Sequence, residues 1–190
     1  MASPFAYRDR WVDVPDGRLH VVEWSSRGPI VLLTHGITAQ AHVWDPIAQR
    51  LSAAYHVLSL DQRGHGDSLK PITGYALDDY LADMLAVLDA FDAERAVVGG
   101  HSLGGRNAFA FAARHPARAA LMVAVEYGPW IERRSFEQLD ERVLNAPERL
   151  PSRQAALDYL ASRYPRVTPA ALARRADFGL LPEGSALVWK

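Results

Sequence analysis

Short, near-continuous apolar runs recur along the chain: "PIVLLTHG" (29–36), "YHVLSLD" (55–61), "RAVVGG" (95–100) and "AALMVAVE" (119–126). Each stops at glycine or a polar residue, the pattern of strands covered on both faces in a parallel sheet. Between them the period changes. Trp44, Ile47, Ala48 and Leu51 fall at i, i+3, i+4, i+7, and Leu77, Leu81, Met84, Leu85 and Leu88 recur at helical spacing, so each set forms the apolar face of a helix. The alanine- and phenylalanine-rich stretch from Leu103 to Arg114 ends at His115-Pro116, a helix stop. Upstream, "WVDV" and "RLHVVEW" flank Pro15-Asp16-Gly17 and predict an antiparallel hairpin. Strands alternating with helices over short connections define an α/β three-layer sandwich around a mostly parallel sheet.

After Gly128-Pro129 the pattern changes to short helical segments broken by prolines at 147, 151, 165 and 169, which predicts a helical insertion with no further sheet. "TPAALARRADFG" is its clearest helix, with Thr168 as N-cap, Pro169 at the first helical position and Gly179 at the end. The expected division is therefore a core over 1–128, a helical cap over 129–182, and the start of a returning core strand over 183–190, cut short.

Composition narrows the classes. With 190 residues, 49% apolar and 23% charged, the chain reads as one globular unit carrying an insertion. The formal net charge of -1 leaves no broad basic face for nucleic acid. No cysteine is present, so disulfides, thiolate metal sites and redox pairs are excluded. "MASPFAYRDRW" lacks an apolar signal segment and no run reaches membrane-spanning length, which reads as a cytoplasmic protein with no membrane partner.

The chemistry concentrates in "VVGGHSLGG" (97–105). Gly100-His101-Ser102-Leu103-Gly104 fits G-x-S-x-G, and its context is a preceding strand and a following helix. A sharp turn there forces the serine into a strained backbone conformation and lifts its Oγ above the strand ends. The bland alternative is a glycine turn whose serine merely caps the helix. A serine alcohol needs a base to take its proton and fixed donors to meet the tetrahedral anion. The backbone N–H of Leu103 is one such donor, at the positive end of a helix. The loop leaving "IVLLTHG" offers a second, the N–H of Ile37, with His35 shaping the loop.

"THGIT", "LDQRGHGDS" and "GGHSLGG", in this order and on these elements, resemble the α/β-hydrolase fold superfamily, and within it the capped serine-nucleophile esterase and carbon-carbon-bond hydrolase group. The resemblance covers the chain from about Trp11. It implies Ser102 as nucleophile, Ile37 and Leu103 as the oxyanion hole, residues 129–182 as a lid, a small-molecule substrate and no metal or organic cofactor. Haloalkane dehalogenases and epoxide hydrolases of this fold use an aspartate nucleophile, so Ser102 argues against both.

The triad order in the superfamily is nucleophile, acid, histidine, and this chain departs from it. His115 is the only histidine after Ser102; thirteen helical residues place it about 20 Å away, whereas a base must lie within about 3 Å. His101 is expected underneath the elbow, His65 in a structural loop, and His20, His42 and His56 on early elements. Glu126 follows the sixth strand, a position where the family's acid sometimes stands, with a structural role as the alternative. In the family the histidine follows an eighth strand, so the chain reads as a C-terminally truncated hydrolase. The run over 119–125 would then be an exposed edge, open to pairing with another chain. Trp130, Phe136, Tyr159, Tyr164 and Phe178 suggest an apolar pocket wall, with ordinary lid core as the alternative.

Two functions follow. The first is an esterase-type serine hydrolase acting on a small, largely apolar substrate through an acyl-enzyme, the isolated 190 residues being inactive or incomplete. The second is a non-catalytic receptor or interaction module on the same fold. A nucleotide-binding role lacks both G-x-G-x-x-G and a Walker lysine.

Overall fold

The structure, a computed structural model, describes residues 7–128 and 143–190. The chain divides into two compact units, Met1–Tyr127 and Gly128–Lys190. In the first, the hairpin pairs β1 (Arg8–Val14) with β2 (Gly17–Trp24). Then come β3 (Ile30–Thr34), a 3-10 turn (Ala41–Trp44) running into α1 (Asp45–Leu51), and β4 (His56–Leu60). The alternation continues through α2 (Leu77–Ala90), β5 (Ala96–His101), α3 (Leu103–Arg114) and β6 (Ala119–Val125). The six strands lie in the order β1-β2-β4-β3-β5-β6, antiparallel as far as β4 and parallel from there to β6.

The period of two along each strand sorts the core into two layers. Leu32, Leu58, Leu60 and Val98 point to one face, where they meet Leu81, Met84 and Leu88 of α2 and Ala108 and Phe111 of α3. Their neighbours Val31, Leu33 and Val57 point to the other, with Trp24, Trp44 and Ala48. A sheet buried on both faces explains why β3 reads as an unbroken apolar run: all five of its residues are buried. Full burial of each such leucine contributes about 1.5–3 kcal/mol. The expected helix face is only partly realised in α1, because Ile47 is exposed while Trp44 and Ala48 are buried.

Among the described residues β6 is the sheet's outer edge. Its run reads like that of β3, yet Leu121, Val123 and Val125 are 58%, 44% and 44% exposed. An apolar strand with a free hydrogen-bonding edge is a template for further pairing.

The second unit holds β7 (Arg149–Leu150), α4 (Arg153–Arg163), α5 (Pro169–Gly179), β8 (Leu180–Glu183) and β9 (Ala186–Trp189). Ser152 and Thr168 cap the two helices by accepting from the N–H groups of Ala155 and Ala171. Leu150, Ala156, Leu160, Leu172, Ala176 and Leu180 form its own small core. Two expectations change here. The proline-broken stretch carries a three-stranded antiparallel sheet, ordered β7-β9-β8, and residues 183–190 belong to that sheet instead of opening a return to the large one. The reason is local: Gly184-Ser185 is a two-residue hairpin loop with Gly184 at φ +60°, so β9 folds straight back on β8. Among the described residues no helix is long and apolar enough to cross a membrane.

Candidate active site

The elbow is built by steric exclusion. Ser102 sits between β5 and α3 at φ 51°, ψ -112°, a conformation that costs a non-glycine residue of order 1–3 kcal/mol. The main chain can fold that tightly only where side chains are missing. A Cβ on Gly100 would lie 2.1 Å from the Gly104 carbonyl oxygen, and one on Gly104 would lie 2.3 Å from the Thr34 carbonyl oxygen. Ser102 makes no side-chain cap to α3, which removes the reading in which it serves only to start the helix.

The loop after β3 is tied to this corner. Gly104 N–H donates to the His35 carbonyl at 3.0 Å, and Thr34 Oγ1 shares its proton between the carbonyls of Gly99 and Gly104, each at 3.1 Å. His35 is fully buried; its Nε2 accepts from the Gln62 N–H at 3.0 Å, so its Nδ1 carries the proton that faces the Gly36 carbonyl at 2.8 Å. Gln62 in turn donates from Nε2 to the His35 carbonyl at 2.6 Å and accepts from Asn107 Nδ2 at 2.7 Å. This buried chain pins strand end, loop and helix into one arrangement. His35 is therefore a loop-shaping residue with both nitrogens engaged.

Ile37 follows, 38% exposed, in a turn closed by Ala39 N–H to the Gly36 carbonyl at 3.0 Å. The Ile37 N–H and the Leu103 N–H at the start of α3 have no acceptor among the described residues. Unsatisfied donors beside a helix N-terminus favour negative charge. Gly36 brings the two sides together: a Cβ built on it would stand 3.5 Å from Ser102 Cβ and 2.7 Å from His101 Nδ1.

His101 is thus not packed underneath. Its side chain is 39% exposed and lies over Gly36, with Nε2 2.6 Å from Glu126 Oε2. The register β5 to β6 explains it, because His101 pairs opposite Val125 and the chain turns at Glu126, where φ is 52°. That carboxylate is 79% exposed and already holds an imidazole. The other histidines are engaged elsewhere. His20 lies between Asp9 and Asp61, His42 faces Asp45, His56 faces Glu23, and His115 caps the C-terminal end of α3. Among the described residues none is hydrogen-bonded to Ser102 Oγ.

Beside the loop, Asp61 Oδ1 accepts from Ala41 N–H at 2.6 Å, and its Oδ2 faces Asp67 N–H at 2.9 Å and His20 Nδ1 at 2.8 Å. Burial alone would raise this carboxyl, but the His20 hydrogen bond and the Asp67 N–H outweigh it and hold it at about 2. His20 is raised: burial works against its charge, and the Asp61 and Asp9 carboxylates prevail. His20, Asp61 and Asp67 are the described group whose donor atoms lie close enough for a cation, within 4.8 Å of one another. Both Asp61 oxygens are already taken by N–H donors, so the cluster works as a hydrogen-bonded knot.

The sequence singles out Ser102, Ile37 and Leu103 but passes over Thr34, Gln62 and Asn107. A polar residue inside an otherwise apolar element was the available signal, most clearly Asn107 in its alanine- and phenylalanine-rich helix. Of the aromatics named above, Tyr159 packs near Trp189 at 6.1 Å, and Tyr164 and Phe178 lie under Arg175 and Arg174. Trp130 and Phe136 lie outside the described residues.

A strand-turn-helix serine elbow on a parallel sheet defines the class of α/β-hydrolase folds. The sequence model of the alpha/beta hydrolase fold family matches residues 29–166, and the chain belongs to that family. It is 37% identical to a 2-(acetamidomethylene)succinate hydrolase of Mesorhizobium japonicum over 178 residues, 94% of this chain and 64% of the relative. A crystal structure of an E-2-(acetamidomethylene)succinate hydrolase superposes with a TM-score of 0.92 at 35% identity, covering 97% of this chain and 68% of that one. Epoxide hydrolase A of Mycobacterium tuberculosis is 39% identical over 121 residues, 62% of this chain and 38% of the relative. The chain thus spans less than two thirds of the length of these curated relatives.

Proposed function

We propose that the protein is a serine hydrolase that cleaves an ester-type or activated carbon-carbon bond of a small, largely apolar molecule. Ser102 Oγ attacks the carbonyl carbon, the oxyanion is received by the N–H groups of Ile37 and Leu103, and the leaving group departs with a proton. Water then releases the acyl group from Ser102. What supports this reading most is the strained Ser102 corner beside the Gly36 loop, together with the Ile37 and Leu103 N–H groups that have no acceptor among the described residues. Among the described residues no group is hydrogen-bonded to Ser102 Oγ to take its proton, so in this reading a histidine from polypeptide outside these 190 residues supplies the base. Glu126, bonded to His101 in the structure, is one candidate for the carboxylate that would orient it, a structural role at this turn being the alternative. Ester, lactone, thioester and vinylogous diketone substrates all fit; the relative named for 2-(acetamidomethylene)succinate makes that compound one to offer alongside p-nitrophenyl esters.

Six of the seven histidines hydrogen-bond away from Ser102 Oγ and the seventh, His115, packs on Phe111 at the far end of α3, which favours a second reading, a small-molecule receptor on the same fold. Incubation with a fluorophosphonate, followed by peptide mass spectrometry, separates the two. An oxyanion hole and binding alone retain roughly 10³–10⁴-fold catalysis in triad-deficient proteases. The hydrolase reading therefore expects slow, stoichiometric phosphonylation at Ser102 that disappears in Ser102→Ala. Saturable ligand binding without labelling supports the receptor and overturns the hydrolase.

A further inference from the structure

The Ile37 N–H shares a peptide plane with the Gly36 carbonyl, which accepts from the buried His35 Nδ1 at 2.8 Å and from Ala39 N–H at 3.0 Å, so its direction depends on how the turn Gly36–Ala39 is held on both sides. The Ile37 side chain is 38% exposed. On the near side, His35 and Gln62 fix the main chain up to Gly36. On the far side the Ile37 carbonyl has one side-chain partner, His65 Nε2 at 2.5 Å.

His65 is itself well placed to act as an anchor. It belongs to the loop "QRGHGDS", whose turns pass through Gly64 and Gly66 at φ +80° and +55°. Its N–H donates to the Gln62 carbonyl at 3.0 Å and its carbonyl accepts from Ser68 N–H at 3.2 Å. The ring meets the His35 ring edge-on at 5.0 Å, and Nδ1 faces the Arg63 carbonyl at 3.0 Å. Arg63 is clamped by both oxygens of Asp83 at 2.7 Å. Both ring nitrogens of His65 therefore point at carbonyl oxygens, which only accept. A ring protonated at both positions satisfies both bonds, and a singly protonated ring satisfies one.

We propose that His65 is a positioning residue of the oxyanion hole: by donating from Nε2 to the Ile37 carbonyl it locks the turn so that the Ile37 N–H can donate to the oxyanion formed when Ser102 attacks the carbonyl carbon. This inference rests on the serine-hydrolase reading above. It assigns the histidine of the glycine-rich loop a task at the reacting centre, carried out through Ile37 without touching substrate.

Removing an oxyanion donor outright costs about 10²–10³ in rate, and loosening one should cost less, about tenfold. The test is fluorophosphonate inactivation of the full chain, with the maximal rate kinact separated from the half-saturating concentration KI, on wild type and three variants that retain the wild-type circular dichroism spectrum. In His65→Gln the amide reaches Ile37; in His65→Asn it falls short; His65→Leu has no donor. The expected result is kinact down about tenfold in the Leu and Asn variants with KI little changed, and restored in the Gln variant. Labelled wild type with equal kinact in all four proteins overturns the His65 assignment and leaves the serine reading standing; so does a loss shared equally by Gln, Asn and Leu. An unlabelled wild type overturns the serine reading and the His65 role with it.

Discussion

Replacing Asp61 with asparagine isolates the tie between the site loop and the hairpin. The aspartate has three N–H partners on two oxygens, namely Ala41 and Asp67 from the main chain and His20 from β2. Asparagine retains one oxygen, so its amide must confront a donor at the other position and leave a buried N–H unmet, at about 1–3 kcal/mol. The charge adds to this. A fall from 3.8 in the unfolded chain to about 2 in the fold, at about 1.4 kcal/mol per pH unit, corresponds to about 2.5 kcal/mol. The two effects together predict about 3–5 kcal/mol lost at pH 6. Because the folded value is the lower one, the electrostatic part is fully present above about pH 4 and disappears as pH falls through 2. The His20 partner acts with the opposite sign: its folded value is raised above 6.5, so its contribution is whole below pH 6.5 and is lost as pH rises through the folded value. Urea denaturation of wild type and Asp61→Asn, followed by tryptophan fluorescence from pH 2 to 9, reads the difference directly. The gap should be widest between pH 4 and 6.5 and narrow on both sides. A gap that stays constant from pH 6 down to 2 would refute the assignment of the charge term to this carboxylate.

Breaking the Arg63–Asp83 clamp with Asp83→Ala leaves the guanidinium buried at 6% exposure without its bidentate partner, and should cost about 3–5 kcal/mol in urea denaturation. Val123→Lys places a charge on the β6 edge where the native valine is 44% exposed; sedimentation velocity should show less self-association than wild type, with the fold unchanged by circular dichroism.

The layered sheet was legible because its strands are buried on both faces and its helices on one, and each condition writes its own period into the sequence. The elbow was legible for a different reason: a Cβ on Gly100 or Gly104 would run into the carbonyl oxygen of Gly104 or Thr34, so the glycines must appear. His101 was misread because strand alternation was carried one residue too far, past the point where the chain turns at Ser102 and Glu126. At the end of the chain the sequence signals a turn and a strand, but not the strand over 180–183 that it folds back on, because a two-residue loop at Gly184-Ser185 makes a hairpin only where the preceding residues are also extended. The buried relay through Gln62 and Asn107 joins three elements far apart in sequence, and only the tertiary fold reveals such a partnership.

On the serine-hydrolase reading, two unrelated features of the first unit agree with a base for Ser102 supplied by other polypeptide. One is chemical. Every histidine in the chain has a structural engagement, and the nearest, His101, has Nε2 committed to Glu126. The other is a matter of packing. β6 carries an apolar sequence suited to an interior strand while its outer edge pairs with nothing among the described residues, so Leu121, Val123 and Val125 stand in water at a cost of hydrophobic burial forgone. The features meet at one place, since β6 ends at Val125 and the next residue is Glu126. Polypeptide laid beside β6 would cover the exposed strand and arrive next to the Glu126 carboxylate. The His101–Glu126 bond would then have to yield Glu126 to the incoming ring, and its exposure leaves it free to do so.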